Sequence, residues 1–244
     1  MTGAVGRSAL AAGGRAAAAR EAKAASVTVP IVFVTGIDPV AIGLVGSLSR
    51  PGHNITGVTD LTTELAPKQL EIMHEVTPSA ARIALLVNPN NPNAESLSRE
   101  LQAAASILGI EIHVAYVSSE REIDSAVTAM PQLRITGLVI GTDALFNSQS
   151  QQLAILTARH GLPAIHPLPE FAAAGGLMSY GGGLLDAYRQ LGIYAARILN
   201  GEKPAELPVK QTTKFKLIIN LKTAKVLGLD VPATLLARAD EVIE

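Results

Sequence analysis

From Val29 onward the sequence keeps one order: a short β-branched run, a turn-rich loop, then a stretch with helical periodicity. Pro30-Ile31-Val32-Phe33-Val34 is a continuous apolar run, which reads as a strand buried on both faces. Asp38-Pro39 then predicts a helix over Val40 to Val45, with Asp as N-cap and Pro at the first helical position. Turn residues from Arg50 to Asn54 close it. The same order recurs in the strand Arg82 to Val87 with a helix from Ala94 to Leu108, and in the strand Glu111 to Val117 with a helix to Met130. It recurs again in Gly137 to Ile140 with a helix ending near His160, and in Pro163 to His166 with a helical turn over Glu170 to Ala174. Strands separated by helices of about 10–15 residues specify βαβ units, a parallel sheet and right-handed crossovers.

Beyond Met178-Ser179-Tyr180 come Gly181, Gly182 and Gly183, then a long helix to Leu199 that Asn200-Gly201 stops. Pro204 to Pro208 reads as an exposed linker, Lys214 to Asn220 as an alternating strand, and the last residues as short helices. No internal repeat is visible.

Composition excludes several functions. The chain has 244 residues, 48% hydrophobic and 17% charged, enough for a buried core in one large or two small α/β domains. A net charge of -1 and only 3% aromatic residues supply neither a phosphate-binding surface nor a stacking platform, so no nucleic-acid partner is expected. There is no Cys, which removes disulfides, thiolate nucleophiles and Cys-ligated zinc. Ile31 to Gly46, interrupted by Asp38 and Pro39, falls short of the ~20 apolar residues of a membrane span. Arg7, Arg15 and Arg20 break up the Ala- and Gly-rich beginning, so no signal peptide is visible.

Catalytic signatures are missing as well. No G-x-S-x-G elbow, Walker loop, strand-following G-x-G-x-x-G or H-E-x-x-H occurs. His74, near Glu71 and Glu75, reads as part of a solvated helix face rather than a metal site. No cofactor, no metal and no enzymatic activity are expected. In parallel α/β sheets ligands sit outside the carboxyl ends of the strands. Here those loops are Thr35 to Asp38, Asn88 to Asn93, Ser118-Ser119, Gly141 to Phe146 and His166 to Glu170. They can hydrogen-bond a small polar or zwitterionic molecule, with helix N-termini for a carboxylate and acidic side chains for an ammonium. Asp38, Asn93 and Asp143 equally suit plain helix capping, and both roles stay open.

The chain resembles the ABC-type substrate-binding family that includes the tryptophan-binding proteins. The words that carry this are Pro30 to Phe33 with Asp38-Pro39-Val40; Leu48 to Gly52 with Asn54 to Val58; Asn88 to Pro92; Ala174 to Gly181; Lys214-Phe215 with Ile218 to Ala224; and Leu235 to Ile243. The resemblance implies a type I periplasmic-binding fold: two parallel-sheet lobes joined by hinge crossovers, closing on a small ligand. Residues 1–57 are then expected to be a remnant of lobe one (1–28 poorly defined), 58–180 lobe two, and 181–244 a return to lobe one with a hinge crossing. Crossovers are expected near Asn54 to Val58, Met178 to Gly183 and Val209 to Thr213. Thr35 and Asp38 from lobe one, and Asn88, Asn93, Asp143, Phe146 and Glu170 from lobe two, are the ligand-contact positions carried over. Phe146 is equally plausible as a core residue.

The resemblance further implies a membrane permease partner, a periplasmic or extracytoplasmic location and an amino acid as one possible ligand. Of the family's usual signal peptide and first strand–helix units, only Gly13-Gly14 and the Ala-rich helix Ala16 to Ala25, which resembles the last of those units, stand ahead of Pro30, so an amino-terminal truncation or misassigned start, and an incomplete first lobe, are expected. Gly181 to Gly183 departs from the family's Pro-containing hinge, which is expected to be looser here. The competing readings are a ligand-sensing domain of a lac-repressor-type regulator, which lacks its helix-turn-helix in residues 1–28, and a doubly wound enzyme.

Overall fold

The computed structural model describes residues 10–12, 16–36, 38–59, 65–182, 184–212 and 215–244. The chain begins with β1 (Leu10–Ala12), α1 (Ala16–Ala25), β2 (Ile31–Thr35) and β3 (Ile55–Thr59). It continues through α2 (Leu65–Val76), β4 (Arg82–Val87), α3 (Ala94–Leu108), β5 (Glu111–Tyr116) and α4 (Glu120–Ala129). Then come β6 (Gly137–Ile140), α5 (Ala144–Ser148), α6 (Ser150–Arg159), β7 (Ala164–His166), α7 (Pro169–Ala173) and β8 (Met178–Gly182). The last elements are α8 (Leu184–Leu199), β9 (Lys210–Gln211), β10 (Phe215–Asn220), α9 (Leu221–Val226), α10 (Ala233–Leu236) and β11 (Glu241–Ile243). These form two compact units, one of residues 1–61 and 184–213, the other of 62–183 and 214–244.

The first unit holds a parallel sheet in the order β1-β2-β3-β9. Every residue of β2 is buried because both faces are covered, which is why its apolar run is continuous. Ile31 and Phe33 pack on one side with Ala19, Leu44 and Ile55, while Val32 and Val34 meet Ala187, Leu191, Tyr194 and Ile198 of α8 on the other. Gly57 makes the stacking possible: a Cβ there would lie 2.2 Å from the Phe33 carbonyl oxygen and 2.7 Å from its ring. Three expectations fail here. Val40 to Val45 forms turns, because Gly43 adopts φ 68° and the Leu44 amide donates to Pro39 O at 2.8 Å, five residues back. The chain reverses where a helix would continue, and Lys23 Nζ closes the turn by donating to the Gly43 and Leu44 carbonyls. Asn54 to Val58, expected near a crossover, falls almost wholly in the internal strand β3, which is paired on both edges. Pro204 and Leu207 are buried rather than parts of an exposed linker, and Thr56 Oγ1 donates to Leu207 O at 2.7 Å.

The second unit holds seven strands in the order β11-β10-β8-β7-β6-β4-β5. From β5 through β8 all pairs are parallel, β10 runs antiparallel to β8, and β11 parallel to β10. Leu70, Met73, Leu101, Ala224 and Leu235 cover one face; Ile123, Val127, Leu153 and Phe171 cover the other. Residues 215–244 were expected in the first lobe. They lie in the second unit, because β10 is extended by hydrogen bonds to β8 from Phe215↔Gly182 to Ile219↔Met178. Gly181 and Gly182 belong to β8; Gly183, with Ile37 and Lys214, is outside the described residues. The stretch read as one helix ending near His160 is two, α5 and α6, split at Gln149.

Candidate ligand-binding recess

The carboxyl ends of β4 and β6 are neighbours in the second sheet, and their loops are built from short polar side chains that bond their own backbone. Asn88 Oδ1 accepts from the Asn90 amide at 3.0 Å, and Asn91 Oδ1 from the Asn93 amide at 3.0 Å, giving two successive Asx turns. The chain then enters α3. Gly141 lets the second loop lie close: a Cβ there would sit 2.8 Å from Leu97 Cδ2 and 2.9 Å from Leu86 O.

Asp143 ties the two loops together. It caps α5, its Oδ1 accepting from the Leu145 amide and from Asn88 Nδ2, both at 2.9 Å. Its Oδ2 accepts from Asn91 Nδ2 at 2.8 Å, and that same nitrogen donates to Thr142 O at 2.9 Å. The carboxylate is buried and accepts three hydrogen bonds from the protein, so it organises the rim from behind. In front lies a recess of about 180 Å³ counting its open mouth. Val87, Ala94, Leu97 and Phe146 give it apolar walls; Asn88, Asn91, Asn93, Gly141 and Thr142 supply polar ones. Binding sites for small molecules combine apolar walls with a few placed polar groups in this way. The space it encloses in this conformation is about that of one water molecule.

Asn93 differs from its neighbours. It stands at the N-cap position of α3 with φ -89° and ψ -7°, and its side chain makes no capping bond. Its Oδ1 is buried without a hydrogen-bond partner among the described residues. An acceptor held this way is available to a ligand donor.

Of the seven positions expected from sequence, four meet here: Asn88, Asn93 and Phe146 line the recess, and Asp143 supports it. Phe146 is fully buried and also part of the core. Glu170 is exposed in the first turn of α7, beyond the end of β7. Thr35 and Asp38 belong to the first unit, Thr35 buried in register with Thr59 and Asp38 accepting from the Val40 amide at 2.8 Å. Sequence reasoning missed Asn91 and Thr142; the Asn-Pro-Asn-Asn-Pro-Asn run marked the loop without telling which Asn turns inward. No metal-ligating cluster of three occurs among the described residues. At the end of β7, burial pushes the His166 imidazole down to about 3, so the ring is neutral.

Residues 6–243 match the family model of the ABC transporter substrate binding proteins. The chain belongs to this family. Its homologues are solute-binding proteins rather than enzymes, and the chain has the α/β fold of the periplasmic-binding type I class. It is 26% identical over 211 residues to a tyrosine-binding protein of Clostridioides difficile, an alignment covering 86% of this chain and 60% of that one. The chain thus spans 60% of the length of that curated relative. Among solved structures it is similar to an ABC domain from Streptococcus pneumoniae in complex with L-Trp, at 28% identity and a TM-score of 0.81, covering 93% of this chain and 77% of that one. A conserved domain protein from Vibrio cholerae gives 29% identity and a TM-score of 0.81, with 92% and 75% covered.

Proposed function

We propose that this substrate-binding protein is the solute-binding component of an ABC importer and that its ligand is an amino acid. The observation that carries the reading is the recess at the ends of β4 and β6, where Asn93 presents an unpartnered acceptor beside the amino-terminal turn of α3. A helix N-terminus favours a carboxylate and an amide oxygen accepts from an ammonium, so the two polar ends of a zwitterion each have a counterpart. Leu97 and Phe146 offer apolar contact to a side chain. That one relative is a tyrosine-binding protein and another was solved with L-Trp supports an aromatic amino acid as the first candidate. Thr35, Asp38 and Glu170 are further strand-end contacts in this reading. The partner is a membrane permease, and the site of action is outside the cytoplasm.

The test is calorimetric titration and thermal unfolding of the purified chain with L-tyrosine, L-tryptophan and a panel of other amino acids. A ligand bound only by the folded state raises its stability, by about 2.7 kcal/mol at a hundred times Kd. Saturable binding of one amino acid is expected. Cooperative unfolding that no amino acid shifts at millimolar concentration would remove the reading.

A further inference from the structure

His166 and Ser179 are in-register partners on the parallel strands β7 and β8. In-register neighbours point to the same face of a sheet, so imidazole and hydroxyl stand side by side. His166 is 0% and Ser179 1% exposed. His166 Nδ1 accepts from the Leu168 amide at 3.0 Å, which leaves the proton of the neutral ring on Nε2. Neither that Nε2 nor Ser179 Oγ has a hydrogen-bond partner among the described residues.

The surroundings enclose this pair. Phe171 stacks on the imidazole at 5.5 Å between centroids with 25° between planes. The Pro167 carbonyl lies so close to β8 that a Cβ on Gly181, two residues beyond Ser179 and on its face, would lie 2.1 Å from that oxygen. Two adjacent polar groups buried in this way carry the full cost of desolvation unless something bonds to them. An apolar pair would fill the space without that cost.

We propose that His166 and Ser179 form a buried site for a single oxygen atom from outside the chain, which accepts a hydrogen bond from His166 Nε2–H and shares a second with Ser179 Oγ. The chemistry is that of one small neutral oxygen acceptor, an internal water. The site lies at the carboxyl end of β7, apart from the Asn93 recess, and the proposal stands whether or not that recess binds an amino acid.

The deciding experiment is a high-resolution crystal structure of the full chain grown with and without L-tyrosine. An oxygen within about 3.2 Å of both atoms is expected. Its presence in both crystals identifies an internal water; an atom of L-tyrosine in its place overturns the proposal. Crystals in which the two side chains bond each other, or in which nothing lies within hydrogen-bond reach of both, overturn the proposal. A second measurement is the melting temperature of Ser179→Ala. Loss of a bonded hydroxyl is expected to lower Tm by about 3 °C, whereas removal of an orphaned one leaves Tm unchanged or raises it and overturns the proposal.

Discussion

Asn88 Nδ2 donates to Asp143 Oδ1 at 2.9 Å, across 55 residues of sequence, and so locks the end of β4 to the start of α5. Both side chains are buried, and Asp143 also holds Asn91 and the Leu145 amide. Asp143→Ala strands three donors at once. The expected loss is about 2–4 kcal/mol in urea unfolding, and a loss below about 0.5 kcal/mol would show that the loops hold without the carboxylate.

Asn93 behaves in the opposite way. Its side chain caps nothing, so Asn93→Ala is expected to change stability by less than about 0.5 kcal/mol, unlike an ordinary N-cap substitution at about 1 kcal/mol. On the proposed function, the same variant binds its amino acid about tenfold more weakly, or about 1.4 kcal/mol. Equal affinity in both proteins by calorimetry would take Asn93 out of the site.

His166 sets a pH dependence of stability. Its folded value of about 3 lies below the ordinary 6.5, so the neutral ring is favoured in the folded state and the unfolded chain takes up the proton first. The contribution is fully present above pH 6.5 and is lost progressively as the pH falls from there towards 3. His166→Phe keeps a ring against Phe171 and removes the titration. Urea unfolding of both proteins between pH 7.5 and 4.5 is expected to show the variant losing less stability on acidification; parallel curves would contradict the assignment.

Glycines separate crowding from backbone strain. Gly57→Ala drives a methyl into the Phe33 carbonyl, 2.2 Å away, and is expected to cost about 3 kcal/mol or prevent folding of the first unit. Gly43→Ala meets nothing within 4 Å but must hold φ 68°, at a cost of about 1 kcal/mol. Comparable losses for the two by chemical denaturation would mean that the Phe33 contact yields.

What the sequence made legible follows from periodicity. Continuous apolar runs such as Ile31 to Val34 and Ile83 to Val87 marked doubly covered strands, and α3 was legible to its ends because Gly109 closes it at φ 69°. Residues 40–45 carried a good helix start, yet one left-handed glycine turned the chain. Asn54 to Val58 took a crossover's place from the family resemblance, whereas most of it lies in β3, paired with β2 and β9, with the Phe33 ring close over Gly57. The antiparallel pairing of β10 left no local mark, since nothing in Phe215 to Asn220 names its partner. At the recess, the residue types were legible but not their division of labour. Asp143 and Asn93 both looked like caps; one is saturated by its neighbours and the other left with a free acceptor.

Each unit is assembled from two stretches of chain separated by part of the other. During synthesis, β2 and β3 emerge early but wait for α8 to cover Val32 and Val34, and α8 follows nearly all of the second unit. The second unit in turn lacks β10 and β11 until residue 243 has left the ribosome. The first unit can therefore close once residue 213 has emerged, while the second still carries an uncovered apolar face until β10 and β11 follow.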